Sequence, residues 1–173
     1  MSCEDLHKFD ATDVECATTL RLLAVDEIQK ANSGHPGLPL GAADIAHVVL
    51  NRYVRANPAD PTWANRDRFV LSGGHGSSLL YAYLLVAGYD YTVADLESFR
   101  QVGSKCPGHP EYNPKLGVEV TTGPLGQGFA ASVGMALAER ILQAHFGPEI
   151  FDHRVWVMCG DGDLEEGVSH EAA

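Results

Sequence analysis

The run Val155-Trp-Val-Met-Cys159 stops abruptly at Gly160-Asp-Gly-Asp-Leu-Glu-Glu-Gly167, and that junction limits the folds open to this chain more than any other stretch. Five apolar residues ended by glycine read as a buried strand. Arg68-Phe-Val-Leu71 makes a second such junction, running into Ser72-Gly-Gly-His-Gly76. At the first junction Asp161, Asp163, Glu165 and Glu166 crowd together in a chain whose formal net charge is already −11. Like charges this close need a compensating cation or full solvation. The acidic balance argues against nucleic acid and membrane surfaces as partners, since both demand a basic face. A phosphorylated ligand would need help from a cation, from histidines or from helix N-termini.

Helical spacing fills the gaps between the strands. Thr12-Asp-Val-Glu15 has the form of a capping box, followed by Leu20, Leu23, Ala24 and Ile28 to a stop near Asn32. Further helices are expected over Ala42–Tyr53, Ser77–Val86, a short piece from Thr92 to Phe99, and Phe129–Phe146. Gln101 to Gly128 is rich in glycine and proline with no sustained period, a length of irregular chain that usually has a function. The layout implies an α/β fold, with loops gathered at the carboxyl ends of strands, where ligands bind in open sheets. At 173 residues the chain is one domain in size. Cys3, Cys16, Cys106 and Cys159 are scattered without a Cys-x-x-Cys pair, which favours reduced thiols. With no leader-like N-terminus and no apolar stretch of spanning length, a cytoplasmic protein is expected.

Three of the eight histidines, His35, His75 and His109, each follow a glycine in a glycine- and proline-rich loop. Any one alone reads as a solvated turn residue, but three built alike point to a shared site. Their spacing is not a zinc signature. His47, mid-helix beside Asp44 and Asn51, is expected on the surface. Thr121-Thr-Gly-Pro-Leu-Gly-Gln-Gly128 opens a helix and offers either an anion site or a tight packing turn. Asp161, held between two glycines at a strand exit, is the best-placed ligand for Mg²⁺, whereas Asp163, Glu165 and Glu166 suit an acidic first turn of helix.

Taken in order, Ser33-Gly-His-Pro-Gly37, Leu71-Ser-Gly-Gly-His-Gly-Ser77, Phe99-Arg-Gln101, Pro107-Gly-His-Pro-Glu111, Thr122-Gly-Pro-Leu-Gly-Gln-Gly128 and Gly160-Asp-Gly162 resemble the transketolases. The resemblance runs from about Thr12 to Ala173. It implies a thiamine-diphosphate-binding fold, a parallel sheet flanked by helices that is incomplete in this chain. Residues 1–173 would be part of the N-terminal diphosphate-binding domain, without the rest of that domain or the pyrimidine-binding and C-terminal domains.

It also implies roles. Thiamine diphosphate would contact His75 and the backbone of Gly123-Pro124-Leu125. Asp161, with Gly162 beside it, would bind the Mg²⁺ (or Ca²⁺) that bridges the diphosphate. His35 and His109 would meet the sugar-phosphate substrates. Glu166 would join the network linking two active sites across a homodimer. The activity implied is transfer of a two-carbon glycolaldehyde unit from a ketose phosphate to an aldose phosphate, in the pentose phosphate pathway. The family's second metal-ligand Asn, its pyrimidine-activating Glu and its phosphate-binding Arg residues have no counterpart here, so a fragment inactive alone is expected. The competing expectation is a non-catalytic binding or assembly module that needs a separately encoded partner.

Overall fold

In the computed structural model, which describes residues 8–173, two short parallel strands form the centre of the molecule. They are β1 (Arg68–Leu71) and β2 (Val155–Met158), aligned so that Arg68 faces Val155 and Leu71 faces Met158. A parallel pair needs a crossover, and here it contains α3 (Ser77–Val86), α4 (Val93–Glu97), a long irregular segment and α5 (Gln127–Phe146). Ahead of β1 lie α1 (Ala11–Ala31) and α2 (Gly37–Arg52), and after β2 come two short turns of helix, α6 (Asp161–Glu165) and α7 (Gly167–Ala172). The expected α/β class and the strand positions hold.

Leu20 and Ala24 of α1, Ala43, Ala46 and Leu50 of α2, and Leu79, Leu80, Tyr81 and Leu84 of α3 form one apolar core, against which Phe69, Leu71 and Met158 pack. Helix α3 is apolar on every side, and accordingly it is buried along nearly its whole length. Helix α5 lies against both strands. None of the helices is long and apolar enough to cross a membrane among the described residues.

Three local expectations change. The box that starts α1 is Asp10 with Asp13, not Thr12 with Glu15: the Asp10 carboxylate accepts from the N–H groups of Thr12 and Asp13 at 2.8 and 3.1 Å, and Asp13 accepts from Asp10 N–H at 2.9 Å. Helix α2 begins five residues early, at Gly37. Pro39 is no obstacle, because the first turn of a helix leaves its N–H groups without intrahelical partners. His47 is buried, not exposed. Its Nε2 lies 2.7 Å from Asp13 Oδ1 and its Nδ1 2.7 Å from Asn51 Nδ2, while Arg52 closes on the other Asp13 oxygen. These groups satisfy one another, so none needs water. The Asp10 N–H, then His47 and Arg52, hold the Asp13 carboxyl at about 2.

At the entry to the strands, the buried Asp67 accepts from Arg55 N–H (3.0 Å), Arg154 N–H (2.8 Å), Trp156 Nε1 (3.0 Å) and the Arg55 guanidinium (3.4 Å). Nearby, Arg66 grips Glu119 with two nitrogens at 2.7 and 2.8 Å. Both clusters fasten this end of the sheet to distant segments of chain.

Candidate functional site

The strands leave the sheet at Ser72 and Cys159, and the loops that follow converge. The His35 ring centroid lies 5.5 Å from that of His75 and 6.3 Å from that of His109, so the three histidines meet as their shared build suggested. The order of the chain explains how. His75 sits in a 3-10 turn directly after β1, and His35 ends the connection between α1 and α2. His109 comes from the irregular segment, which owes its shape to side chains of α3. Ser77 Oγ donates to Gly108 O at 2.8 Å and Tyr81 OH to Pro107 O at 2.9 Å. Their spacing of four puts both hydroxyls on one face of α3. A little further on, Thr122 N–H donates to Pro110 O at 3.1 Å and Thr122 Oγ1 to Leu71 O at 2.8 Å, which lashes the segment to the end of β1.

The glycine-rich loops approach too closely for side chains. A Cβ on Gly74 would stand 2.8 Å from the backbone nitrogen of Gly123. The His75 turn therefore touches the Gly123-Pro124-Leu125 loop, and Gly123 in turn faces the His109 ring. At the far end of that loop Gly126 caps α5 with φ +79°, and a Cβ there would stand 2.8 Å from the Cβ of Glu166. Gly162 lies against Leu125. The structure thus brings together His35, His75, His109, Gly123, Pro124, Leu125, Asp161 and Gly162. Glu166 is set over Gly126 at the head of α7, exposed to solvent.

The acidic stretch splits in two. Asp161 is exposed, and its carboxylate accepts from Gly162 N–H at 2.9 Å through one oxygen, leaving the other open among the described residues. Asp163 stands in the acidic first turn of α6, as the sequence suggested, and is 1% exposed. Its Oδ1 accepts from Ser72 Oγ (2.7 Å) and Gly126 N–H (2.9 Å), and its Oδ2 from Gly160 N–H (2.9 Å). Two N–H groups at the start of α5 are therefore used internally, Gly126 by Asp163 and Phe129 by Ser72 Oγ at 2.9 Å. An anion arriving here meets the Gly123–Leu125 loop and not a bare helix end.

Beside His109 opens a cleft of about 560 Å³ lined by Arg100, Gln101, Ser104 and Glu111 among others. Arg100 adopts φ +63°, donates to Ser33 Oγ at 2.6 Å and lies along the backbone of Gly108, so it spans the loops that carry His35 and His109. Partial burial, then the charge of Arg100 and the neighbouring His35 and His75, hold the His109 ring below its ordinary value and neutral at pH 7. A neutral ring carries one donor and one acceptor, suited to a hydroxyl or to moving a proton.

Ser72, Ser77, Tyr81, Arg100, Thr122 and Asp163 escaped the sequence reading as parts of the site. Ser77 and Tyr81 left a partial signal, since with Ser78 and Tyr83 they are the polar-tipped residues in an otherwise apolar helix.

The donor set suits a hard cation held jointly with a ligand. Among the described residues no three histidine, cysteine or carboxylate side chains gather into a metal cluster. Asp161 is left as a single open carboxylate, and Mg²⁺ or Ca²⁺ on one protein carboxylate completes its shell with phosphate oxygens and water. The close backbone around Gly123 and the neighbouring histidine rings likewise suit a diphosphate with a flat heterocycle attached.

Comparison with known proteins points the same way. Residues 12–173 match the family described as "Transketolase, thiamine diphosphate binding domain". The transketolase of Geobacillus stearothermophilus is 58% identical over 159 residues, covering 90% of this chain and 24% of that protein. The Bacillus subtilis (strain 168) transketolase is 53% identical over 95% of the chain and 25% of its own length. Among solved structures, Campylobacter jejuni transketolase superposes with a TM-score of 0.90 at 53% identity, covering 95% of this chain and 26% of that one. A Pichia stipitis transketolase solved in complex with sedoheptulose-7-phosphate also gives 0.90, at 54% identity, with 94% and 24% covered. The chain spans about a quarter of the length of these relatives.

Proposed function

The chain belongs to the transketolase family, and on that premise we propose that it supplies the thiamine-diphosphate-binding part of an enzyme moving a two-carbon glycolaldehyde unit from a ketose phosphate to an aldose phosphate. The observation that carries this reading is the meeting of His35, His75, His109 and the Gly123 loop at the strand exits, next to an open Asp161. When bound, thiamine diphosphate supplies the nucleophilic carbon and electron sink needed to break and remake a carbon–carbon bond beside a carbonyl.

The chain's own residues do the rest. Asp161 anchors the Mg²⁺ (or Ca²⁺) that neutralises the diphosphate, with Gly162 keeping the approach clear. His75 and the Gly123-Pro124-Leu125 backbone hold the cofactor. His35 and the neutral His109 bond the hydroxyls of the sugar and move protons at its carbonyl and hydroxyl oxygens. Arg100 keeps the loops of those two histidines in register. Glu166, exposed over Gly126, takes part in contacts between two copies in a homodimer. The setting is the cytoplasm and the pentose phosphate pathway.

The test is titration of thiamine diphosphate into the native protein with and without Mg²⁺. Saturable binding that needs the metal is expected, and Asp161→Ala should weaken it by about a hundredfold, the upper range for losing a group that holds a metal. A native protein that binds no thiamine diphosphate, or binds it equally well without metal, sinks the reading.

A further inference from the structure

Asp163 stands where three loops of the site meet, and its three donors come one from each. Ser72 is the exit of β1 and leads to His75. Gly126 closes the Gly123–Leu125 loop. Gly160 is the exit of β2 and precedes Asp161. The Asp163 carbonyl, in turn, accepts from Ser169 Oγ of α7. No Lys or Arg is among its partners in the described residues, so its charge is met by neutral donors alone.

We propose that Asp163 is a positioning residue for the cofactor: its buried carboxylate fixes the mutual spacing of the His75 turn, the Gly123–Leu125 loop and Asp161. This rests on the reading of the site as a thiamine diphosphate site. A carboxylate suits the task because both oxygens accept and neither donates. Charge also strengthens the two backbone bonds. An amide in its place must turn its NH₂ toward one of the two backbone N–H groups, so asparagine keeps one of those bonds and loses the other. Alanine loses both and leaves Ser72 Oγ without its acceptor.

The experiment uses the native protein with substitutions Asp163→Ala, Asp163→Asn and Asp67→Asn, the last removing an equally buried carboxylate at the opposite end of the same strands. Two readouts are taken: amide hydrogen exchange without cofactor, and thiamine diphosphate affinity at fixed Mg²⁺. Asp163→Ala should speed exchange at Gly126 and Gly160, and Asp163→Asn at one of them. Affinity should fall about tenfold for Asp163→Ala and about threefold for Asp163→Asn, in the range of residues that orient a ligand-binding group. Asp67→Asn should lower the melting temperature and leave affinity within about twofold. Equal affinity losses for Asp163→Ala and Asp67→Asn overturn the proposal, because a purely structural carboxylate would do as much. Unchanged exchange at Gly126 and Gly160 also overturns it. If Asp163→Ala does not fold, Asp163→Asn decides. A native protein that ignores thiamine diphosphate defeats the functional reading instead, and the exchange pattern still shows whether Asp163 pins the loops.

Discussion

The two ends of the β1–β2 pair each hold a buried aspartate, and the two are held differently. At the entry, Asp67 is met by the Arg55 guanidinium as well as by backbone and indole N–H groups, and Arg66, Arg68 and Arg154 lie close by. At the exit, Asp163 is met by a hydroxyl and two backbone N–H groups. The entry end balances its own charge and behaves as a clamp. The exit end carries Asp161 and Asp163 beside histidine and glycine loops, and on the proposed reading a cation arriving with its ligand would complete the balance there. Burial alone does not separate the two roles; the chemical identity of the donors does.

The largest effect expected from breaking this contrast is at the clamp. Asp67→Asn removes the charge of a buried carboxylate that meets the Arg55 guanidinium and three N–H groups, and should destabilise the protein by about 3 kcal/mol, a fall of roughly 6–12 °C in melting temperature. Thermal unfolding monitored by circular dichroism checks it. A shift under about 2 °C would mean that the entry end is no clamp and the contrast between the ends is void.

A third buried carboxyl sharpens the same point by having no donors. Glu27 is 2% exposed, both of its oxygens lack a hydrogen-bond partner among the described residues, and burial raises its carboxyl from 4.5 to about 9. The folded protein keeps this proton while the unfolded chain gives it up above 4.5. Its contribution to stability is therefore full below pH 4.5, declines as pH rises to about 9 and is level beyond. Glu27→Leu should raise stability at pH 9 by a few kcal/mol, on the order of 2–4, and by much less at pH 5. Chemical denaturation at the two pH values measures the difference. Equal gains at both would show that Glu27 does not titrate in this interval.

The smallest effect concerns an aspartate that is exposed. Asp10→Ala should cost about 1 kcal/mol through loss of the α1 cap, while Thr12→Ala should stay within about 0.5 kcal/mol. Paired denaturation curves decide between them, and a larger loss from Thr12→Ala would return the cap to where the sequence pattern put it.

These carboxylates also show how far the sequence could be read. The strands, their glycine exits and the grouping of His35, His75 and His109 were legible because each signal is local: an apolar run, a glycine that ends it, a histidine beside it. The resemblance of the ordered motifs to transketolases added the roles. What stayed hidden was the fate of individual polar groups. Asp161 and Asp163 lie two residues apart in one acidic run, and Asp163 goes inside where Ser72, 91 residues away, turns a hydroxyl toward it. His47 is buried for the same kind of reason, through an aspartate 34 residues away on α1. Even the cap of α1 turned on contacts beyond its own turn, since Asp13 of the true box also serves His47. Periodicity reports which face of an element is apolar. It carries no information about donors that arrive from other segments.

The parallel register of β1 with β2 has a consequence in time. A ribosome that has just added Leu71 must complete α3, α4, the irregular segment and α5 before it reaches Val155. At about 5–20 residues per second that takes roughly 4–17 s. Throughout this interval β1 has no strand beside it, and the largely apolar α3 is already made. The loops bearing His35, His75 and His109 are likewise synthesised before Asp163, the residue that ties two of the strand exits to α5. Nascent chains of this protein are thus born with their histidine loops present but unspaced, and the site acquires its geometry only with the last few residues of this stretch to emerge.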